Sequence, residues 1–586
     1  MNLVEIVGLI IVLVTFVPVF LQLRAHPRGL FVLFFAEMWE RFSYYGMRGL
    51  LIFYLTQHFL FDDKQAQGQY AAYTSLVYLL PLVGGLLADR FLGMRKAIAF
   101  GALLLVAGHG AMAIEGAPAT QVLTYQGAKY EFVVHGRADS REVKLKVGSG
   151  EYAFGANEAG GLEFKGLPAD APIPAVLAKG SYELSVVKGP KIYQDIMFLA
   201  LSLIIMGVGF LKPNISSIVG QLYPENDPRR DAGFTLYYYG INLGAFVAAI
   251  VCGRLGQEVG WWAGFGLAGI GMAAGWVAFM LGKPMLEGKG EPPNPEALVK
   301  PIFGPLNTEW LIYILGVAGV GIIWVLVQQN AYVGAMLGLG SVCVLSYLAW
   351  FMATKCTPVE RSRMILALVL IAASVIFFVL FEQAGSSLNQ FADRNTLLTL
   401  PGGSSMTAAQ TQSFNSGFIL LFAPVFAALW AFLGRRNLDP SAPMKFSLAL
   451  MQVGIGFLIL VAGVKFADGA YKVPLIFLAL AYMLHTTGEL FLSPVGLSQM
   501  TKLSAPAVVS TIMAVWFLAS SWAQYLGGMV ANLTATETVA GQVLDPKGAL
   551  ETYASVFQTI GIWAVGLGIL MAIASPWLKK LAHGVK

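Results

Sequence analysis

The chain has 586 residues, of which 57% are hydrophobic and only 12% charged, about half the roughly 25% charged share of an ordinary soluble protein. With a mean hydropathy of +0.67, this composition argues against a soluble globular protein and for a polytopic membrane protein. The formal charge of +5 requires no nucleic-acid partner, because Lys and Arg kept in cytoplasmic loops produce a basic excess by themselves and no basic run stands out.

In chain order, the first apolar run covers residues 3–22 and is long enough to span a bilayer. Its positive charges, Arg24 and Arg28, follow it instead of preceding it, so it reads as an uncleaved helix with its N-terminus outside and not as a signal peptide. Further spans are expected near 29–57, 69–89, 95–115, 192–219, 233–254 and 261–282, then 308–329 and 332–353. Six more follow near 362–386, 413–433, 445–465, 472–500, 506–532 and 552–577.

With alternating spans, Arg90, Arg95, Lys96, Arg229, Arg230, Lys283, Lys355, Arg361, Arg435, Arg436, Lys579 and Lys580 fall on one side. The positive-inside rule makes that side cytoplasmic and places the C-terminus there. Residues 116–190 break the pattern: they are Gly-rich and polar, with alternating runs such as EVKLKV (Glu142 to Val147) and eight Lys and Arg against eight Asp and Glu. They predict a small β-rich insert on the extracytoplasmic side. The expected organisation is an extra N-terminal helix (1–24), three core helices (25–115), the insert (116–190), three more core helices (191–282), a cytoplasmic linker (283–307), a two-helix insertion (308–355) and a C-terminal six-helix bundle (356–586). Cys252, Cys343 and Cys356 lie in or beside apolar segments without pairing or metal-ligand spacing, so no disulfide framework, metal site or cofactor is expected.

The most informative stretch is Glu37 to Arg48, EMWERFSYYGMR. Glu37, Glu40, Arg41, Tyr44, Tyr45 and Arg48 form one stripe of a helix whose flanks are apolar enough to cross a membrane. A charge facing lipid at mid-helix costs about 2.5 to 3.5 kcal/mol on insertion scales. The stripe must therefore face protein or a water-filled cavity. Further on, Lys212 precedes Pro213, which favours a helix kink, and Glu489 sits mid-span with no Lys or Arg between Lys472 and Lys502.

Gly85 to Lys96, GLLADRFLGMRK, resembles the loop signature of the major facilitator superfamily. There Asp89 and the nearby basic residues would latch helix ends, although Arg95 and Lys96 also serve as ordinary cytoplasmic charges. Glu37-x-x-Glu40-Arg41-Phe42-x-Tyr44-Tyr45-Gly46, Phe210-Leu-Lys212-Pro213-Asn214 and Tyr237-Tyr-x-x-Ile241-Asn242-x-Gly244 are similar, in order, to three motifs of the proton-dependent oligopeptide transporter family. The resemblance implies an all-α major facilitator fold of two six-helix bundles with a two-helix insertion between them, working by alternating access. The N-terminal helix and the β-rich insert depart from the common family pattern. Animal members carry a functional His in the second core helix, and no His occurs here between residues 67 and 89.

The resemblance assigns proton coupling to Glu37, Glu40, Arg41, Lys212 and Glu382, with Lys212 and Glu382 as a bridge between halves that protonation releases. It assigns substrate binding to Glu489 for a peptide amino terminus and to Arg48 and Lys212 for its carboxylate. Tyr44, Tyr45, Tyr78, Asn242 and Asn415 would line the cavity, and Trp516 and Phe491 would form apolar pockets. Elementary chemistry agrees: burial and like charge raise a carboxyl pKa, and a switchable cation lowers it. The function implied is proton-coupled import of di- and tripeptides across a bacterial inner membrane by a monomer. Rival readings are another small solute on the same fold, such as nitrate or an amino acid, and a non-transporting peptide receptor. No nucleophile-base set or phosphate loop points to an enzyme.

Overall fold

A hydrocarbon interior leaves no water to satisfy backbone groups, so an apolar chain of this kind satisfies them within helices. The computed structural model describes residues 3–224 and 227–585 and shows fifteen long helices. In chain order they are α1 Leu3–Leu23, α2 Arg28–Phe53, α3 Asp63–Leu92, α4 Met94–Met112, α5 Lys191–Gln221, α6 Arg230–Val259, α7 Trp261–Leu286, α8 Thr308–Val327 and α9 Asn330–Thr354. The remaining six are α10 Pro358–Asn395, α11 Ala409–Arg435, α12 Ala442–Phe466, α13 Leu475–Leu503, α14 Pro506–Asn532 and α15 Pro546–Leu581. Thirteen are apolar and long enough to span a membrane. The other two are α2, which carries the charged stripe, and α4, which begins with Arg95 and Lys96 and ends near His109. Several helices outrun their apolar segments by a turn because polar caps start them. Asp62 accepts from the Gln65 amide at 2.9 Å at the head of α3, and Thr357 and Glu360 form a reciprocal capping box at the head of α10.

Helices α2–α7 form one bundle and α10–α15 the other, and the two meet where α3 packs on α14 and α6 on α11. Helix α8 lies against α5, and α9 lies against α14 and α3, outside both bundles. Helix α1 leans on α6 through a Thr15–Tyr239 hydroxyl contact of 2.6 Å and a Glu5–Arg254 ion pair. Small residues let the helices approach closely. Pro213 lies inside the continuous helix α5 and can donate no hydrogen bond to the carbonyl one turn earlier. The Gly209 carbonyl lies there, and a Cβ on Gly84 of α3 would stand 2.0 Å from that oxygen. Only glycine allows that approach.

At the end carrying the basic residues, Arg95 reaches Glu291 at 2.7 Å and the Lys289 carbonyl, and Lys96 reaches Glu309 at 2.5 Å. The Arg95–Lys96 pair thus holds the linker and the start of α8.

At the opposite end, residues 116–190 form eight strands: β1 Thr120–Tyr125, β2 Ala128–His135, β3 Glu142–Val147, β4 Gly150–Tyr152, β5 Phe154–Ala156, β6 Leu162–Phe164, β7 Val176–Leu177 and β8 Glu183–Val187. They make a five-stranded antiparallel sheet in the order β4-β3-β2-β1-β8 and a three-stranded one in the order β5-β6-β7. The EVKLKV run is β3, buried at Val143, Leu145 and Val147, as its period of two requires.

The small core of the insert is not self-contained. Val539, Ala540 and Leu544, from the hairpin between α14 and α15, complete it. The Ala540 amide donates to Gln121 at 3.2 Å, Arg141 donates to the Ala540 carbonyl, and Lys179 lies 3.5 Å from Glu537. An element inserted in the first bundle is therefore docked on the second. Phe132→Ala, at the centre of this small core, should cost about 3 to 5 kcal/mol and unfold the insert locally. Limited proteolysis should then nick residues 116–190 while the helical bundles stay intact.

Candidate functional site

Between the bundles lies a cavity of about 250 Å3. Tyr45 from α2, Tyr78 from α3, Lys212 from α5 and Asn242 from α6 line one wall. Glu382 from α10, Asn415 from α11, Glu489 from α13 and Trp516 from α14 line the other. Eight of the residues singled out in the sequence are thereby brought together from eight helices. The cationic group belongs to the first bundle and the acids to the second. Tyr238, Phe378, Phe381, Ser493, Ser520 and Gln524 also line it; apart from Tyr238, which belongs to the Tyr237–Gly244 motif, none of these six was singled out in the sequence.

Arg48 lies beside this cavity, lining a smaller one of about 40 Å3 that shares Tyr45, Glu382 and Asn415 with it. Its guanidinium donates to Glu382 and, at 2.7 Å, to the Tyr70 hydroxyl. The expected bridge between the halves exists, but its cation is Arg48 and not Lys212. Arg is suited to this place, because its planar fork can hold a carboxylate and a hydroxyl together. The Lys212 ammonium instead stands 4.2 Å above the Tyr78 ring, a cation–π contact. Among the described residues, no carboxylate lies within 4.0 Å of it.

Glu37, Glu40 and Arg41 lie deeper in the first bundle. The Arg41 Nε donates to Glu37 at 2.8 Å and stands 3.1 Å from a Glu40 oxygen. Neither Glu40 oxygen receives a hydrogen bond, and Glu40 is fully buried. Tyr44, expected at the substrate, does not reach the cavity. It is buried with its hydroxyl unpartnered, since a step of one residue turns a helix by about 100° and aims it away from Tyr45. Phe491 also lies elsewhere, edge-on to Phe426 and Trp430 at 5.5 and 5.0 Å. The imidazole of His485 bonds the Val453 carbonyl at 3.1 Å, and one Glu489 oxygen is buried without a partner.

Above the cavity, at the insert's end, the halves are closed by a second charge pair. Arg394 of α10 grips Asp63 of α3 with two bonds of 2.6 and 2.7 Å, and the Thr536 amide adds a third at 2.9 Å. Neither residue was singled out as functional in the sequence, where Arg394 reads as one of a few scattered basic residues on the extracytoplasmic side. Among the described residues, no cluster of three or more His, Cys, Asp or Glu side chains is placed to hold a metal ion.

Two six-helix bundles around a shared polar cavity, sealed at one end, define a membrane carrier of the major facilitator type. A sequence profile of the POT family matches residues 95–546. The chain belongs to that family, as the three motifs indicated. It is 32% identical over 572 residues to the uncharacterized transporter YclF of Bacillus subtilis, covering 96% of each chain. It is 28% identical to dipeptide and tripeptide permease B of Shigella dysenteriae, over 95% of this chain and 96% of that one. A crystal structure of a mutant of the peptide transporter POT in complex with alafosfalin superposes with a TM-score of 0.70 at 32% identity, covering 95% of this chain and 96% of the other.

The Asp63–Arg394 closure is testable apart from cargo. Asp63→Asn leaves a buried guanidinium without its counter-charge, a loss of about 3 to 5 kcal/mol for a buried pair. In a cysteine-free background with Tyr78→Cys, this change should speed modification by an impermeant maleimide added from the insert's side, as measured by labelling rate.

Proposed function

We propose that the chain is a proton-coupled symporter of di- and tripeptides working by alternating access. One observation carries this reading: a single cavity presents an ammonium without a carboxylate, Lys212, on one bundle and a partly unsatisfied carboxylate, Glu489, on the other. Such a cavity complements a small zwitterion by its ends. Between the charges, Tyr45, Tyr78, Asn242 and Asn415 offer hydroxyls and amides to peptide groups, contacts that demand no particular side chain.

The coupling step follows from the pair that spans the halves. A proton taken by Glu382 removes its negative charge and frees Arg48. The peptide carboxylate then has Arg48 and Lys212 for partners, and the peptide amine has Glu489. When the peptide leaves toward the cytoplasm and the proton follows, Arg48 recovers Glu382. The Glu37–Glu40–Arg41 cluster, with its unsatisfied Glu40 oxygens, is a second place where a proton is held. In this reading the protein is a monomer in a bacterial inner membrane. The insert and the N-terminus are periplasmic, and the linker and the C-terminus are cytoplasmic, in accord with the basic residues at that end.

Glu382→Gln, which mimics the protonated acid, should abolish proton-driven accumulation in liposomes while peptide counterflow persists. Concentrative uptake by that variant would remove Glu382 from the coupling step. Glu489→Gln should weaken peptides with free amino termini by roughly ten- to a hundredfold, the equivalent of about 1.5 to 3 kcal/mol for a charge-assisted bond. N-acetylated peptides should change little, as read from competition for uptake.

A further inference from the structure

A second cavity, of about 450 Å3 and so larger than the central one, lies between the insert and the outer face of the first bundle. Its floor is the helical turn that follows α2 (Gln57, His58), Gln257 of α6, Trp261 of α7 and Glu115; its roof is Glu131 to Val134 of β2 with Arg137 and Arg141. Charges of both signs face it and do not meet. Among the described residues, neither Arg137 nor Arg141 has a carboxylate within 4.0 Å, and neither Glu115 nor Glu131 has a cation that near. Elsewhere in the insert His135, Lys144 and Lys179 have acidic partners at 2.7, 2.9 and 3.5 Å. Both arginines are only half-exposed. Burial draws the Arg141 guanidinium below its ordinary pKa, opposed by the distant charge of Asp393, and among the described residues its one hydrogen bond is to the Ala540 carbonyl. The Glu115 carboxylate accepts from the Trp262 amide at 2.8 Å, which fixes it at the cavity's edge.

A space with separated, unpaired charges of opposite sign suits a molecule that bears both charges at its own ends. Amides from Gln57, Gln121 and Gln257 and the imidazole of His58 line the same space and can bond peptide groups. The cavity also adjoins the closed gate, since Gln57 donates to Asp393, the neighbour of Arg394, at 3.2 Å. We propose that the insert and the outer face of the first bundle form a second site, which binds zwitterionic short peptides above the closed gate, with Arg137 and Arg141 taking the carboxylate and Glu115 and Glu131 the amine. This site rests on the peptide reading of the central cavity for its ligand class. It differs from that cavity in every residue.

The test is equilibrium binding of radiolabelled trialanine to the full chain in lipid nanodiscs. Two equivalents are expected for the unaltered protein. Arg137→Gln and, separately, Glu131→Gln should each weaken one equivalent by roughly tenfold or more and leave the other intact. Glu489→Gln should do the reverse. A single equivalent that Glu489→Gln removes and neither insert change weakens would overturn the second site and leave the proposed function standing. A single equivalent that the insert changes remove and Glu489→Gln spares would uphold the second site and overturn the central one. No binding of trialanine, with the unaltered protein folded, would overturn both.

Discussion

The structure depends on how charge is kept inside an apolar bundle. An ionised side chain away from water persists only with a counter-charge and hydrogen bonds, and the pairs found here are of two kinds. Arg41 with Glu37 and Glu40 is confined to one helix, so movement of the halves leaves it unchanged. Arg48 with Glu382, and Asp63 with Arg394, join helices of different bundles. Those two pairs must break when the bundles part, and removing one partner of a buried pair costs about 3 to 5 kcal/mol. A substitute partner therefore has to arrive at the same moment. For Glu382 the smallest substitute is a proton, and for Arg48 it is the carboxylate of a cargo. In the proposed function, exchange of partners between a proton and a peptide end would be the physical content of coupling.

The insert adds a second constraint at the same end. It enters the chain between α4 and α5 of the first bundle, yet Val539, Ala540 and Leu544 of the second bundle's outer hairpin complete its core. Any motion that separates α3 from α10 near Asp63 must either part this apolar contact or carry the insert with the hairpin on its connecting segments. Apolar area once exposed is costly at about 25 cal/mol per Å2. The insert's contact with the hairpin thus acts on the same opening as the Asp63–Arg394 pair.

The helices and the inward-facing stripe were legible because hydropathy and the 3.6-residue period are local properties. The strands of the insert were legible for the same reason, with EVKLKV alternating as β3 does. What could not be read was the choice between neighbours that lie far apart in the chain. The stripe on α2 pointed inward as a whole, but Tyr44 and Tyr45 differ by about 100° on the helix, and only Tyr45 meets the cavity. Pairing Glu382 with Lys212 rather than Arg48 was a choice between two cations on different helices, and sequence spacing carries no information about such a distance. Asp63 and Arg394 are 331 residues apart, and nothing local in the sequence marks them as partners. The family motifs pointed to residues that the structure gathers around one cavity, because such motifs record outcomes of three-dimensional contacts, but they did not fix who pairs with whom in this state.

The position of Lys212 shows how local backbone chemistry reaches the site. Pro213 leaves α5 one donor short, and Gly84 brings α3 against the carbonyl region this exposes. The same crossing places Tyr78 of α3 under the Lys212 ammonium. A cation–π contact contributes about 0.5 to 2 kcal/mol, less than a desolvated ammonium gains from a carboxylate at hydrogen-bond distance. Lys212 is therefore held in place but not satisfied, while Arg48 beside it is satisfied by Glu382. Of these two cations, the one on α5 has no carboxylate within 4.0 Å among the described residues, whereas in the proposed cycle the one on α2 would be released only after protonation of Glu382. Under the proposed function, binding of the cargo's acidic end would begin at Lys212 and be completed at Arg48, which would order the two events without any further moving part.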